Sequence, residues 1–395
     1  MGENKTEKMS FIYDSFKGDV RYDLISEKPK EPSHLSLRIS YDDRYPIRFA
    51  YEYGEGLVRV DKIVNKKRKT NILGEFLNID YGDVNGYIDF FNEHGFLYEL
   101  DHDRFLKLEL IDIVKISKRL QALIDLINEV NKENADYDLH KIFGLSLALL
   151  LDEPWNIEIK KNETKTAVHF DLKALIEDND FISYDSLSKK DEFQNGYFTI
   201  LDTIYGTNRL SAKDYRAIMD GSYSKKGGDD FYFKSITYLY ANYHHTDKKS
   251  REVIDCLFHY YYEIGIPLNI EIGEPLKYYS KINEESVIDF NLHDPIINFA
   301  KYIIKNEIDG MIQNIRPVYN QESMQPDWRV DSLLSAMYFS LFFMDSKMEM
   351  LKRCKYCGRL FQVKRSSTTH LYCDSFCRNN AQQAKHRIRV KNKTE

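Results

Sequence analysis

The sequence predicts an α+β protein: a predominantly helical body, small antiparallel β elements near the N-terminus, and a small cysteine-built module at the C-terminus. Three observations predict it. Apolar residues recur at three- to four-residue intervals over much of the chain, the period of helices with one buried face. Strict apolar–polar alternation is confined to short runs, chiefly between His34 and Asp80. Four of the five cysteines fall in the last 45 residues as Cys354-x2-Cys357-x15-Cys373-x3-Cys377.

In chain order, residues 1–33 are polar, contain Lys28-Pro-Lys-Glu-Pro32, and read as a loosely ordered lead-in. A β-then-α domain is expected over 34–150. Its strands are the alternating run His34–Ser40, then Ile47–Tyr51 and Gly56–Val60, and they should form one small antiparallel sheet. Helical patterning starts at Asn85 and is stopped by Gly95. A longer helix is expected from Leu106 to Val130, on the spacing of Leu108, Ile111, Val114, Leu120, Leu123 and Ile127.

Residues 151–350 read as a mainly α middle region. It opens with a β-hairpin near 155–171, where Trp155–Ile159 and Thr166–Leu172 alternate on either side of Lys161-Asn-Glu-Thr164. About 175–285 mixes helical and aromatic segments with no clear boundary. From 286 the pattern is helical again: Ile296, Ala300, Ile303, Ile308 and Ile312 lead to Pro317, which should close the segment. Asp327 is a candidate N-cap for a run to Lys352. The centre of that run, Leu333–Met344, is apolar nearly all round, as a buried central helix must be. It should lead without a linker into the last domain, 351–395.

The cysteine spacing is that of a tetrahedral zinc site, each close pair supplying two thiolates and the loop bringing the pairs together. Cys354, Cys357, Cys373 and Cys377 are therefore the expected ligands of a structural zinc ion, in a treble-clef or ribbon-like zinc finger. Gly358 follows Cys357 where a knuckle turn needs positive φ. Cys373 and Cys377, four apart, share a face if they begin a helix. Cys256 stands apart in an apolar run.

Beyond Cys377 the chain is basic and helical in pattern. At 100° per residue Arg378, Gln382, Lys385, Arg389 and Lys393 share a sector with His386 at its edge, while Cys377, Ala381, Ala384 and Ile388 face the metal core. Lys364 and Arg365 add cations in the loop. Residues 351–395 hold twelve Lys and Arg against Asp374 and Glu395, a net +10 in a chain of −6, so the remainder carries −16. Such asymmetry is expected of an appendage that binds a polyanion, with DNA favoured over RNA. Arg, Lys and Gln can meet phosphates and base edges. The acidic body would repel nucleic acid and is left for a ligand, a protein partner or a second copy of the chain.

The order of these features resembles bacterial proteins with a CGNR-type zinc finger. The shared elements are Leu334-Ser-Ala-Met-Tyr338, Cys354/Cys357-Gly-Arg-Leu-Phe361, Lys364-Arg365, Tyr372-Cys373, and Cys377-Arg378-Asn379 with Ala381, Lys385 and Arg387. The resemblance spans about 60 residues, with Cys377-Arg-Asn-Asn380 standing where the family has Cys-Gly-Asn-Arg. It implies a DNA-binding transcription regulator that responds to stress.

Other functions find less footing. His370 and His386 flank the finger as in HNH-like nucleases, which need further metal ligands and a general-base histidine. A defence or stress effector, or a protein-interaction module with a purely structural finger, is the alternative. His244 and His245 are adjacent and point apart. The sequence has no phosphate loop, dinucleotide fingerprint, serine elbow or His-Glu-x-x-His. No run approaches the roughly 20 apolar residues of a membrane span. The first residues lack the apolar core of a secretion signal, and reduced thiols point to the cytoplasm.

Overall fold

A computed structural model describes residues 10–15, 18–24, 35–41, 47–59, 71–98, 106–132, 137–160, 163–178, 196–223, 229–242, 247–280, 282, 290–321, 324–344, 349–364, 370–373 and 375–394. Within them lie eleven α-helices and sixteen short strands, an α+β architecture with small, largely antiparallel sheets. The chain divides into two compact units, one of residues 1–124, 154–168 and 307–395, the other of 125–153 and 169–306. These units cut across the divisions expected at 150 and 350.

The first unit contains a five-stranded sheet in the order Arg316–Asn320, Gln325–Arg329, Ser10–Ser15, Ile47–Glu52, Gly56–Arg59. Its pairs are antiparallel except the one that sets Phe11 opposite Trp328, which is parallel. A separate antiparallel sheet joins Gly18–Leu24, Leu35–Tyr41 and Leu106–Glu109. The stretch read as a lead-in thus supplies two strands. Val20, Tyr22 and Leu24 do alternate, but the charges between them mask the pattern. The single sheet expected after His34 is in fact split between these two.

Three other boundaries move for similar reasons. Leu106–Glu109 is a strand, because residues 36–39 offer it a partner, and the helix begins only at Leu110. Pro317 lies in the edge strand, opposite Trp328, where a missing N–H is tolerated. Asp327 is in the neighbouring strand opposite Val318. The helix after it is Leu333–Phe343, capped by Ser332 Oγ, which accepts from Ser335 N at 2.9 Å. Gly95 does end the helix Val84–His94.

That central helix is buried at every position from Leu333 to Leu341, as its sequence predicts. Phe339 meets Trp328 with ring centroids 5.4 Å apart, and Phe343 meets Tyr51 at 6.0 Å. Beneath this aromatic layer is a buried ion pair. Arg119 Nε and Nη2 reach the two oxygens of Glu307 at 2.6 and 2.7 Å, and the Tyr338 hydroxyl donates to Glu307 Oε1 at 3.0 Å. No member is more than 2% exposed. The bidentate geometry and third donor offset the desolvation of both charges. Three helices, Leu110–Val130, His293–Ile312 and Leu333–Phe343, are fixed by it.

The second unit is built on helices that include Leu139–Leu151, Phe231–Asn242 and Lys248–His259, with hairpins Tyr197–Asp202/Gly206–Ser211 and Pro267–Asn269/Lys277–Tyr278. Its centre is Asp202. Ile204 N and Tyr205 N donate to Oδ1 at 2.7 and 2.8 Å, while Tyr240 OH and His259 Nε2 meet Oδ2, each at 2.6 Å. Burial opposes ionisation, but His259, Tyr240 and the backbone donors outweigh it and hold the carboxyl down at about 2.

Two stability measurements follow from these networks. Glu307→Ala, which leaves Arg119 buried without its partner, should cost about 3–5 kcal/mol in denaturant unfolding. The apolar pair Arg119→Met/Glu307→Leu should cost far less. A carboxyl held below its unfolded value stabilises the fold above that value and loses its contribution as pH falls through the folded one. Asp202→Asn should therefore be less stable than the parent by about 2 kcal/mol at neutral pH. That gap should close between about pH 4 and pH 2.

Candidate metal centre and basic helix

Strands Glu349–Arg353 and Leu360–Lys364 form an antiparallel hairpin, with Cys354 and Cys357 in the turn between them. Cys354 N bonds Arg359 O and Gly358 N bonds Cys354 O, each at 2.9 Å, which folds the turn back over Cys354. Gly358 has φ +74°, a conformation that a side chain disfavours. Lys355 N bonds Leu371 O at 2.9 Å, carrying the chain across to the second pair. Cys373 precedes the helix Ser375–Thr394, and Cys377 lies in its first turn.

The four sulfurs all lie within 4.8 Å of one another, Cys357 to Cys373 at 3.6 Å and Cys373 to Cys377 at 3.5 Å. A disulfide needs about 2.05 Å, so these are thiols. The edge of a tetrahedron with metal–sulfur bonds of about 2.3 Å is about 3.8 Å. The donor set and spacing thus fit a tetrahedral metal. Cys354 and Cys377 are buried, Cys373 is half-buried and Cys357 exposed.

Proton chemistry gives the same reading. Burial works against ionisation of Cys354, yet the backbone N–H groups of Cys357, Cys373 and Tyr356 prevail and bring it to about 6. Cys373 is driven well up, first by burial, then by its neighbouring thiols and the charge on Cys354. Cys377 rises to about 11, with burial again the largest cause. One thiolate is easily made here, and each further one is opposed by its neighbours. A divalent cation removes that opposition.

The hairpin is anchored to the rest of the first unit by side-chain amides. Asn78 reads the backbone of Leu360 as a strand would, Nδ2 donating to its carbonyl at 3.1 Å and Oδ1 accepting its N–H at 2.6 Å. Asn71 caps the helix Ile72–Leu77 by accepting from Gly74 N, and its Nδ2 donates to Gln362 Oε1 at 2.9 Å. Gln362 Nε2 donates to Tyr51 OH at 3.2 Å. Gly56, at φ +78°, lies under this contact; a Cβ there would stand 2.3 Å from both amide groups.

The expected cationic surface is displayed in part. Arg378 and Gln382 are exposed. The helix continues to Thr394, so its period brings positions 385, 389 and 393 to the same face. The side chains of Lys385, His386, Arg389 and Lys393, like the whole of Arg365, lie outside the described residues. Lys364 is on the hairpin with its ammonium 4.6 Å from the centre of the Tyr53 ring, a cation–π contact within the body. Cys377 and Ala381 face inward as expected, but Ala384 is exposed. His370 is exposed and is not in the sulfur cluster, and His244 and His245 lie outside the described residues.

Sequence reasoning missed the three amides Asn71, Asn78 and Gln362, whose partners are about 290 residues away. It also missed a set of Glu75, Glu93 and His94, where His94 Nε2 meets Glu75 Oε2 at 3.2 Å. Among the described residues no helix is long and apolar enough to cross a membrane. Comparison with protein-family models, with curated proteins and with solved structures gives no match to this chain.

Elemental analysis of purified protein should find about one metal ion per chain. Cys373→Ser should bring this to background, since a closed four-thiolate shell does not tolerate an open corner. Amide exchange should then quicken in residues 354–377 while the Leu333–Phe343 helix keeps its protection.

Proposed function

We propose that residues 349–394 form a structural zinc finger of treble-clef type, whose terminal helix binds nucleic acid, DNA in preference to RNA, and that the chain acts as a DNA-binding regulator. One observation carries this reading. The four-thiol cluster fixes the N-terminus of a 20-residue helix, in a segment of net +10 attached to a body of −16. Zinc is the metal favoured by four thiolates in a tetrahedron. Anchoring at Cys377 gives the helix a defined start, and its basic face, Arg378 to Lys393, then runs along one side for about 23 Å at 1.5 Å per residue. That length suits a groove lined by phosphates. The likeness to CGNR-type fingers supports the same assignment.

A second reading draws on a specific feature. Phe376 is 70%, Tyr356 48% and Leu371 37% exposed around the cluster, as on a finger that docks to a protein. In that case the acidic body or this apolar rim acts, and the basic face is dispensable.

Binding to duplex DNA, measured by fluorescence anisotropy across a salt series, separates the two. Each phosphate neutralised contributes about −0.9 to the slope of log affinity against log salt. Arg378→Ala should weaken binding and reduce that slope by roughly 0.9, with zinc content unchanged. No binding at low salt, or a slope untouched by removal of the basic face, would favour the protein-docking reading.

A further inference from the structure

Two aromatic rings stand in water beside the cysteine cluster. Tyr356, immediately before Cys357, is 48% exposed, and Phe376, immediately before Cys377, is 70% exposed. Neither stacks on another ring among the described residues. The fold brings them to one place from two segments, because the sulfurs of Cys357 and Cys377 belong to a cluster whose members lie within 4.8 Å of one another. Leu371, also exposed, joins them through the bond from Lys355 N to its carbonyl at 2.9 Å. Rings left in water forgo the stabilisation of burial, so an apolar rim of this kind marks a surface that a partner covers.

Charge selects the partner. Lys355, Arg359 and Arg378 are exposed among these rings, in a segment of net +10. A protein partner would have to set an apolar patch within dense negative charge. A nucleic acid has both in every nucleotide, an anionic phosphate and the flat face of a base, and aromatic side chains beside cations are how unpaired strands are held. Bases in a duplex cover one another's faces, so only unpaired ones can stack on Tyr356 and Phe376.

The terminal helix adds a direction. At 100° per residue Phe376 lies about 160° around the helix from Arg378, across from the basic stripe. A straight duplex laid along that stripe cannot also cover Phe376. A strand that leaves the duplex at the N-terminal end of the helix can pass from the stripe to the rim. We infer, resting on the nucleic-acid reading of this segment, that the rim is a stacking site for unpaired bases and that the preferred target is a duplex with a single-stranded extension.

The metal-loaded full-length protein would be titrated by fluorescence anisotropy with a blunt duplex, with the same duplex bearing a thymidine extension on one strand, and with that extension made of abasic sites, which keep the phosphates and lack the bases. The parent should bind the thymidine-extended duplex roughly five- to a hundredfold more tightly than the abasic one, the range for stacking a base on an aromatic side chain. Tyr356→Ala and Phe376→Ala should each lose most of that gain. Their metal content and salt slope should match the parent's, since stacking neutralises no phosphate. Tyr356→Phe and Phe376→Tyr, which keep a flat ring, should retain the gain. A parent that binds thymidine and abasic extensions alike, or a gain that survives the two alanine substitutions together, overturns the stacking site while duplex binding still supports the regulator. If no DNA binds at low salt, the nucleic-acid reading fails and the stacking site with it, and the rim is left to a protein partner.

Discussion

Arg119, Glu307 and Tyr338 are the point on which the first unit turns. A guanidinium and a carboxylate, both out of water, tolerate little displacement, since an ångström of separation leaves two desolvated charges facing each other across a gap. Their helices therefore have only one acceptable arrangement. Apolar packing around Leu333–Phe343 supplies the larger attraction but is forgiving of small slips. The ion pair removes that latitude, and with it fixes the helix whose last residue leads toward the cysteines.

The metal hairpin uses a different principle of attachment. Its contacts to Asn71, Asn78 and Tyr51 are neutral hydrogen bonds, satisfied in both directions at Leu360. Neutral pairs of this sort contribute about 1 kcal/mol each, far less than a metal ion held by the four thiols would. With a metal bound, the internal order of this segment would come from the thiols, while the hairpin's place in the first unit is set by a few amides. The loss of either can be told apart, because one changes metal content and the other does not.

What could be read in the sequence was what is encoded close together. Cys354-x2-Cys357 and Cys373-x3-Cys377 announce a four-thiol cluster because each half forms within a turn. Gly95 and the mostly apolar run Leu333–Leu341 are equally local. Where the sequence misled, two local solutions were equally good and a distant segment chose between them. Leu106–Glu109 fits a helix face or a strand, and residues 36–39 decide it. Asp327 and Ser332 are both good caps, and pairing of Val318 with Asp327 leaves the role to Ser332. Asn78 carried no signal at all, since an amide acquires its meaning only from what the fold places opposite it.

The parallel pairing of Phe11 with Trp328 has a consequence for synthesis. The strand Ser10–Ser15 finds its antiparallel neighbour Ile47–Glu52 soon after both leave the ribosome, but its other edge must wait for a segment more than three hundred residues later. At about 5–20 residues per second that is a delay of some tens of seconds. Through that time an open β edge is available to any other extended chain, the situation that invites aggregation and chaperone capture. Completion of the sheet is thus a late event in the life of each chain, and it comes just before the cysteines themselves are made.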